Sequence, residues 1–245
     1  MVGSHWRIIP PLKAPGAVQM ALDRWLFEEL LEGRHPPTLR FYTWSPAAIS
    51  LGYHQRRFPD EWRSLHYQQQ PIDLVRRPSG GRAVLHQGDL TYAVVAAGLP
   101  SSRMDAYRQI CEFLMRGWRS LGYALHYGTA GRSYRHTPNC FGTATGADLV
   151  LADGTKLIGS AQLRQGDVVL QHGSMRLTPD PALFQVVFGQ AATLPAIALP
   201  LPVVIETLTH AAVSWFGACF GASFEVRSLS KEEWDRIQVM VHSRL

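Results

Sequence analysis

Between residues 147 and 177 the chain is cut into short β-rich runs by two reversal pairs, Asp153-Gly154 and Gln165-Gly166. No other feature limits the fold as much. Asp-Gly favours a two-residue turn because both central positions must reach positive φ. The runs ADLVLA (147–152) and TKLIG (155–159) therefore predict one hairpin, and 160–165 with 167–177 predict a second pairing. Successive hairpins build an antiparallel or mixed sheet, not the all-parallel sheet of strictly alternating strands and helices.

Helical spacing appears elsewhere. Residues 17–32 place apolar side chains at 18, 22, 25, 26 and 30, with Gly33 as a stop and Pro36-Pro37 blocking continuation. Residues 105–121 put Tyr107, Cys111, Leu114, Trp118 and Leu121 on one face. Further strands are predicted at 38–44, in AISLG after Pro46, and at 72–76, 90–97 and 123–127. The tail predicts a Pro-broken segment near 195–202, a helix near 203–217, a strand near 223–227 and a last helix opened by Ser230. These elements predict an α+β fold with a mostly antiparallel or mixed sheet flanked by helices. With 245 residues and no repeat or linker, one domain over 1–245 is the simplest organisation.

A hydrophobic fraction of 46% excludes general disorder. No run of about 18 consecutive apolar residues predicts a membrane span. Trp6, Arg7, Pro10, Pro11 and Lys13 interrupt any signal-peptide pattern, and three cysteines make no disulfide framework, so a reducing cytoplasmic setting is expected. The net charge is +5, but the arginines are scattered and no nucleic-acid-binding signature is present. Neither nucleic acid nor membrane is expected as a partner. A diffuse positive surface serves solubility, or steering toward an acidic protein carrier. Of 24 basic residues only Lys13, Lys156 and Lys231 are lysines. Genome composition explains most such bias, yet lysine also offers a compact charge on a thin stem where arginine's planar fork is too wide.

Three segments carry chemical interest. In Arg76-Arg77-Pro78-Ser79-Gly80-Gly81-Arg82, continuing to His86, paired glycines let the backbone approach a bound molecule and flanking arginines suit an anion. The same loop also reads as a tight turn between strands, and His86 as a structural histidine. Cys140 lies in a loop without core spacing, unlike Cys111 and Cys219 on apolar faces, which makes it the nucleophile candidate. From Gly154 to Gln162, Lys156 either decorates a hairpin or points across a floor of Gly159, Ser160 and Ala161, where a cation stabilises charge developing on a carbonyl oxygen.

Taken in order, these residues resemble the lipoate–biotin protein ligase superfamily. The carrying motifs are Met20-Ala21-Leu22-Asp23, the aromatic strand 39–44, Arg76 to Gly81, Lys156 to Gln162, and Gln171-His172-Gly173-Ser174, over roughly residues 7–190. ATP-dependent lipoate ligases usually carry a third glycine where this chain has Arg82, and often an accessory domain. Asn139-Cys140-Phe141 ahead of the lysine segment is similar to the LipM-type octanoyltransferases, whereas the LipB type places its cysteine after that segment.

The resemblance implies an acyltransferase that moves an octanoyl group from acyl carrier protein to a lysine of lipoyl domains or the glycine-cleavage H protein. Cys140 would carry the acyl thioester and Lys156 would hold the acyl oxygen. Arg77, Ser79, Gly80, Gly81, His86, Gly159, Ser160, Ala161 and His172 would surround the substrate. His86 and His172 are the proton-transfer candidates, each equally a structural histidine. Asp148 sits where ligases use an aspartate near the adenylate, and with Lys156 it forms a candidate charge pair. No cofactor and no metal are implied. The alternatives are an ATP-dependent lipoate or octanoate ligase, a lipoyl-pathway amidotransferase, or a non-catalytic module that kept the fold.

Overall fold

The computed structural model describes residues 4–128, 146–189 and 195–242. In chain order the first half runs β1 (His5–Ala14), α1 (Gly16–Leu31), β2 (Thr38–Trp44), β3 (Ala48–Leu51), β4 (His66–Tyr67), β5 (Gln70–Pro71), β6 (Asp73–Arg76), β7 (Val84–His86) and β8 (Asp89–Ala96). It continues through α2 (Arg103–Ser120), β9 (His126–Tyr127), β10 (Leu149–Val150), β11 (Lys156–Gln165), β12 (Val168–Arg176), α3 (Pro181–Phe188), α4 (Leu201–Phe220), β13 (Ser223–Val226) and α5 (Lys231–His242). Among the described residues an eight-stranded sheet has the order β13-β1-β2-β8-β12-β11-β10-β9, and β6-β3-β7 form a smaller sheet.

The hairpin region forms as its turn residues dictate. β10 pairs antiparallel with β11, and β11 with β12, with Gly154 at φ +83 and Gly166 at φ +58 in the two reversals. The two runs expected at 155–159 and 160–165 are a single strand, β11. β8 pairs antiparallel with β12 and β2, so the sheet centre is antiparallel, while β1 runs parallel to β2 and β13. The mixed sheet flanked by helices agrees with the sequence expectation.

Three elements differ from that expectation. β1 escaped notice because Pro10-Pro11 break its alternation; the register shifts between Ile9 and Leu12, an irregularity that tolerates residues unable to donate to the ladder. The strand expected over 123–127 shortens to β9. The short helix α3 was not foreseen. Asp180 caps it by accepting from Ala182 N and Leu183 N, Pro181 starts it, and Gly189 ends it at φ +68.

One face of the large sheet is covered by α2 and α4, around Phe113, Leu114, Trp118, Leu208 and Phe216. α4 is long and apolar enough to span a membrane by length and composition. Glu206 and His210 nevertheless interrupt its apolar run, and it seats Val204, Leu208, Ala212 and Phe216 in this core. The other face is covered by α1 and α5, around Leu22, Trp25, Leu26, Tyr42 and Ile237. A third cluster, with Ile49, Trp62, Leu85 and Phe184, packs the smaller sheet against α3. α1 is tied to the smaller sheet at its first turn, where Gly16 N donates to Asp73 Oδ2 at 2.9 Å. A cavity remains where the smaller sheet, α1 and the large sheet meet.

Candidate active site

The cavity has a volume of about 70 Å³. Met20 of α1, Tyr42 and Trp44 of β2, and Val84 of β7 give it apolar walls. Gly159, Ser160 and Ala161 of β11 lie beside their ladder partners Ser174, Gly173 and His172 of β12 and form one wall with them. Small residues are required there. A Cβ on Gly173 would lie 2.5 Å from Ser160 Oγ and 2.6 Å from the Tyr92 ring.

The glycine-pair loop closes one side. Gly81 adopts φ +99, and a Cβ on Gly52 would lie 1.9 Å from the Gly81 carbonyl oxygen, so two glycines allow two backbones to touch. Both arginines brace this loop. Arg77 donates to the carbonyls of Ser50 (2.8 Å), Gly80 (2.8 Å) and Arg82 (2.7 Å), and Arg76 to those of Gly52 (2.7 Å) and Gln55 (2.8 Å). Their charge was expected to suit an anion; the geometry gives it carbonyl oxygens instead.

Lys156 begins β11 with its side chain only 4% exposed, and its Nζ lies 3.0 Å from Asp148 Oδ1. Asp148 lines the cavity. Arg176 donates to the Lys156 carbonyl, which fixes the start of the strand.

Two buried chains of hydrogen bonds reach the cavity. In the first, His86 Nδ1 lies 2.8 Å from Asp89 Oδ2 and Nε2 lies 2.8 Å from Ser50 Oγ. Asp89 Oδ2 also accepts from Thr91 (3.1 Å) and Ser174 (2.7 Å), and the His86 ring stacks on Trp44 at 3.8 Å. Burial, opposed by Asp89, lowers the imidazole pKa and keeps His86 neutral. In the second, His172 Nδ1 lies 2.7 Å from Asp23 Oδ2 and Nε2 lies 2.5 Å from Ser79 Oγ. Asp23 is wholly buried on α1. It also accepts from Arg40 Nε (2.9 Å) and the Tyr42 hydroxyl (2.8 Å). Burial alone would raise its carboxyl pKa; Arg40 and the His172 hydrogen bond outweigh that and hold it below the ordinary value.

The predicted residues therefore stand as follows. Arg77, Gly81, His86, Gly159, Ser160, Ala161 and His172 line the cavity. Ser79 sits behind His172, and Gly80 offers its carbonyl to Arg77. Lys156 touches the lining through Asp148. Cys140 lies outside the described residues. Cys111 is buried in the α2 core, its thiol pushed up to about 12 by burial, which makes it inert as a nucleophile.

Residues 15–196 match the model of the lipoyl protein ligase A/B catalytic domain. An octanoyltransferase LipM from Kyrpidia tusciae is 36% identical over 93% of this chain and 92% of its own length. The chain belongs to this family. A second LipM octanoyltransferase of the family, from Symbiobacterium thermophilum, is 33% identical over 98% of this chain and 96% of its own. Among solved structures, a lipoate-protein ligase A bound with ATP superposes with a TM-score of 0.76 at 20% identity, covering 97% of this chain and 94% of its own. A T. acidophilum protein of the lipoate ligase type, solved with lipoic acid, gives 0.77 at 20% identity, over 98% and 95%. These likenesses show that the α+β architecture is the family fold.

Within this family frame, sequence reasoning passed over Ser50, Asp89 and the buried role of Asp23. Asp23 stood in a quoted motif, and an aspartate inside an apolar helical face is itself a signal, because a buried carboxylate needs partners. Asp89 is three residues from His86, but nothing in the chain announces Ser50 as its third member.

Proposed function

We propose that the chain is an octanoyltransferase of lipoate biosynthesis, working in the cytoplasm as one catalytic unit. The observation that carries the reading is a largely apolar cavity with a buried ammonium–carboxylate pair beside it, in a chain whose relatives are octanoyltransferases. An octanoyl thioester arrives on acyl carrier protein, and the Cys140 thiolate displaces the carrier thiol. Thioester exchange is nearly isoenergetic, so no ATP is consumed. A lysine of a lipoyl domain or of the glycine-cleavage H protein then attacks the acyl-enzyme, and the greater stability of the amide drives this step. Splitting the transfer in two is covalent catalysis.

The alkyl chain lies among Met20, Trp44, Val84 and the 159–161 floor. Each buried methylene contributes about 0.8 kcal/mol, so cavity depth measures chain length. Lys156 holds the acyl oxygen, and Asp148 orients its ammonium. Arg77, Gly80 and Gly81 shape the covering loop.

Intact-mass spectrometry after mixing with octanoyl-acyl carrier protein tests this. One octanoyl group is expected on the wild type and none on Cys140→Ser. Lys156→Arg is expected to slow acylation, because the wider guanidinium does not fit against Asp148. An unmodified wild type overturns the reading, and a lipoyl-adenylate formed from ATP and free lipoate would move the chain among the ligases.

A further inference from the structure

The cavity has two unlike ends. Asp148, which pairs with Lys156, flanks β10, whereas Tyr42 and Trp44 belong to β2. In the order β2-β8-β12-β11-β10 these strands stand four spacings apart, about 19 Å. With the acyl oxygen at Lys156, the alkyl tail ends among Met20, Tyr42 and Trp44. We propose that Met20 is the chain-length gate of the acyl cavity, and that the groove behind it takes the last methylenes of longer acyl chains once Met20 is cut back. The proposal rests on the acyl-transfer reading above.

Met20 is shared by two spaces. It lines the inner cavity of about 70 Å³, and it also lines a groove of about 670 Å³. The groove's walls include Ala17 and Ala21 of α1, Leu51 of β3, and Leu74 and Val75 of β6. The seam between α1 and β6 is pinned one turn before Met20. There Gly16 N donates to Asp73 Oδ2 at 2.9 Å, and a Cβ on Gly16 would lie 3.0 Å from Val75 Cγ1. At the next turn α1 offers alanines at 17 and 21. Met20 between them is the large apolar side chain of the helix that separates cavity from groove.

The aromatic walls at this end are tethered. Trp44 Nε1 donates to Thr91 Oγ1 at 2.9 Å and its ring stacks on His86 at 3.8 Å, while the Tyr42 hydroxyl donates to Asp23 at 2.8 Å. Met20 is buried with them in one apolar cluster, but its thioether makes no such bond. An unbranched side chain with three rotatable bonds fills an irregular end and moves without breaking a hydrogen bond. The aromatic rings therefore fix the width of the cavity, and Met20 fixes where an alkyl chain stops.

Removing Met20 beyond its Cβ joins the two spaces along the seam between α1 and β6. On the outer side of the groove Arg24 pairs with Glu28, and the Arg63 guanidinium lies 4.7 Å from the Phe58 ring centre. Both charges are thus engaged, and the surface that a longer tail meets is the apolar one of Leu51, Leu74 and Val75. Each methylene that gains a buried place there strengthens binding about fourfold.

The test compares chain lengths. Acyl carrier protein loaded with octanoyl, decanoyl or dodecanoyl groups is offered to the wild type, Met20→Ala, Met20→Val, and Met20→Ala combined with Ala17→Phe. The readout is the dodecanoyl-to-octanoyl ratio of kcat/KM for acyl transfer, which does not depend on how much of a variant is folded. Met20→Ala is expected to raise this ratio about tenfold, close to the worth of two newly buried methylenes, and Met20→Val to raise it less. The gain is expected in KM, because tail burial is felt equally by bound substrate and transition state. Ala17→Phe, which refills the groove, is expected to cancel it. Met20→Val carries the result if Met20→Ala does not fold. A wild-type ratio in the Met20 variants, or a raised ratio that Ala17→Phe leaves untouched, overturns the gate alone. A wild type that transfers no acyl group of any length overturns the transferase reading and the gate together.

Discussion

Gly173 shows how closely the cavity is drawn at the scale of single residues. Its neighbours on both sides, Ser160 and Tyr92, hydrogen bond to each other at 2.8 Å, so neither withdraws without losing that bond. Gly173→Ala is expected to destabilise the protein by about 1–3 kcal/mol through overpacking, read as a lower urea midpoint with an unchanged slope. The glycine itself was legible as part of a small-residue motif. Its reason was not, because Tyr92 approaches from another strand. His172 is similar: its place on a strand was foreseen, but its partner Asp23 is 149 positions away, and no local pattern reports such a meeting. Residues whose chemistry is local, such as the core cysteine Cys111 on its helical face, were readable from spacing alone.

At the scale of elements, α5 begins with a reciprocal cap. Glu233 N donates to Ser230 Oγ at 3.2 Å, and Ser230 N donates to Glu233 Oε2 at 2.7 Å. Ser230→Ala is expected to cost about 1 kcal/mol, measured by thermal or urea unfolding. This start was visible in the sequence because capping is a contact within four residues. The central hairpins were equally visible from their turn dipeptides, and α1 from its spacing and its glycine stop. β1 was hidden by two prolines that a register shift accommodates, and α3 by being too short to show a period. Its Asp180-Pro181 start and Gly189 end are the signals that would have found it.

At the scale of the whole molecule, the first strand and the last helix are joined by charge. Arg7 is fully buried and donates to both Glu233 oxygens, at 2.7 and 2.9 Å. Burial would raise the Glu233 pKa. The Arg7 hydrogen bond and the Ser230 amide outweigh it and bring it from the ordinary 4.5 to about 2. A depressed folded-state pKa stabilises the protein above the unfolded value and ceases to do so as pH falls through the folded one. Unfolding free energy is therefore expected to decline between about pH 4.5 and 2, with a smaller decline in Glu233→Gln, followed by urea titrations across that window.

The parallel pairing of β1 with β13 also has a kinetic meaning. His5 meets Ser223 across 218 positions of chain, so the outer rim of the sheet is zipped by a contact between the two ends of the chain. Closing so wide a loop is slow, and until it closes the rim stays an unsatisfied template for other chains. During synthesis the β1 edge cannot pair with β13 until residue 226 has been made.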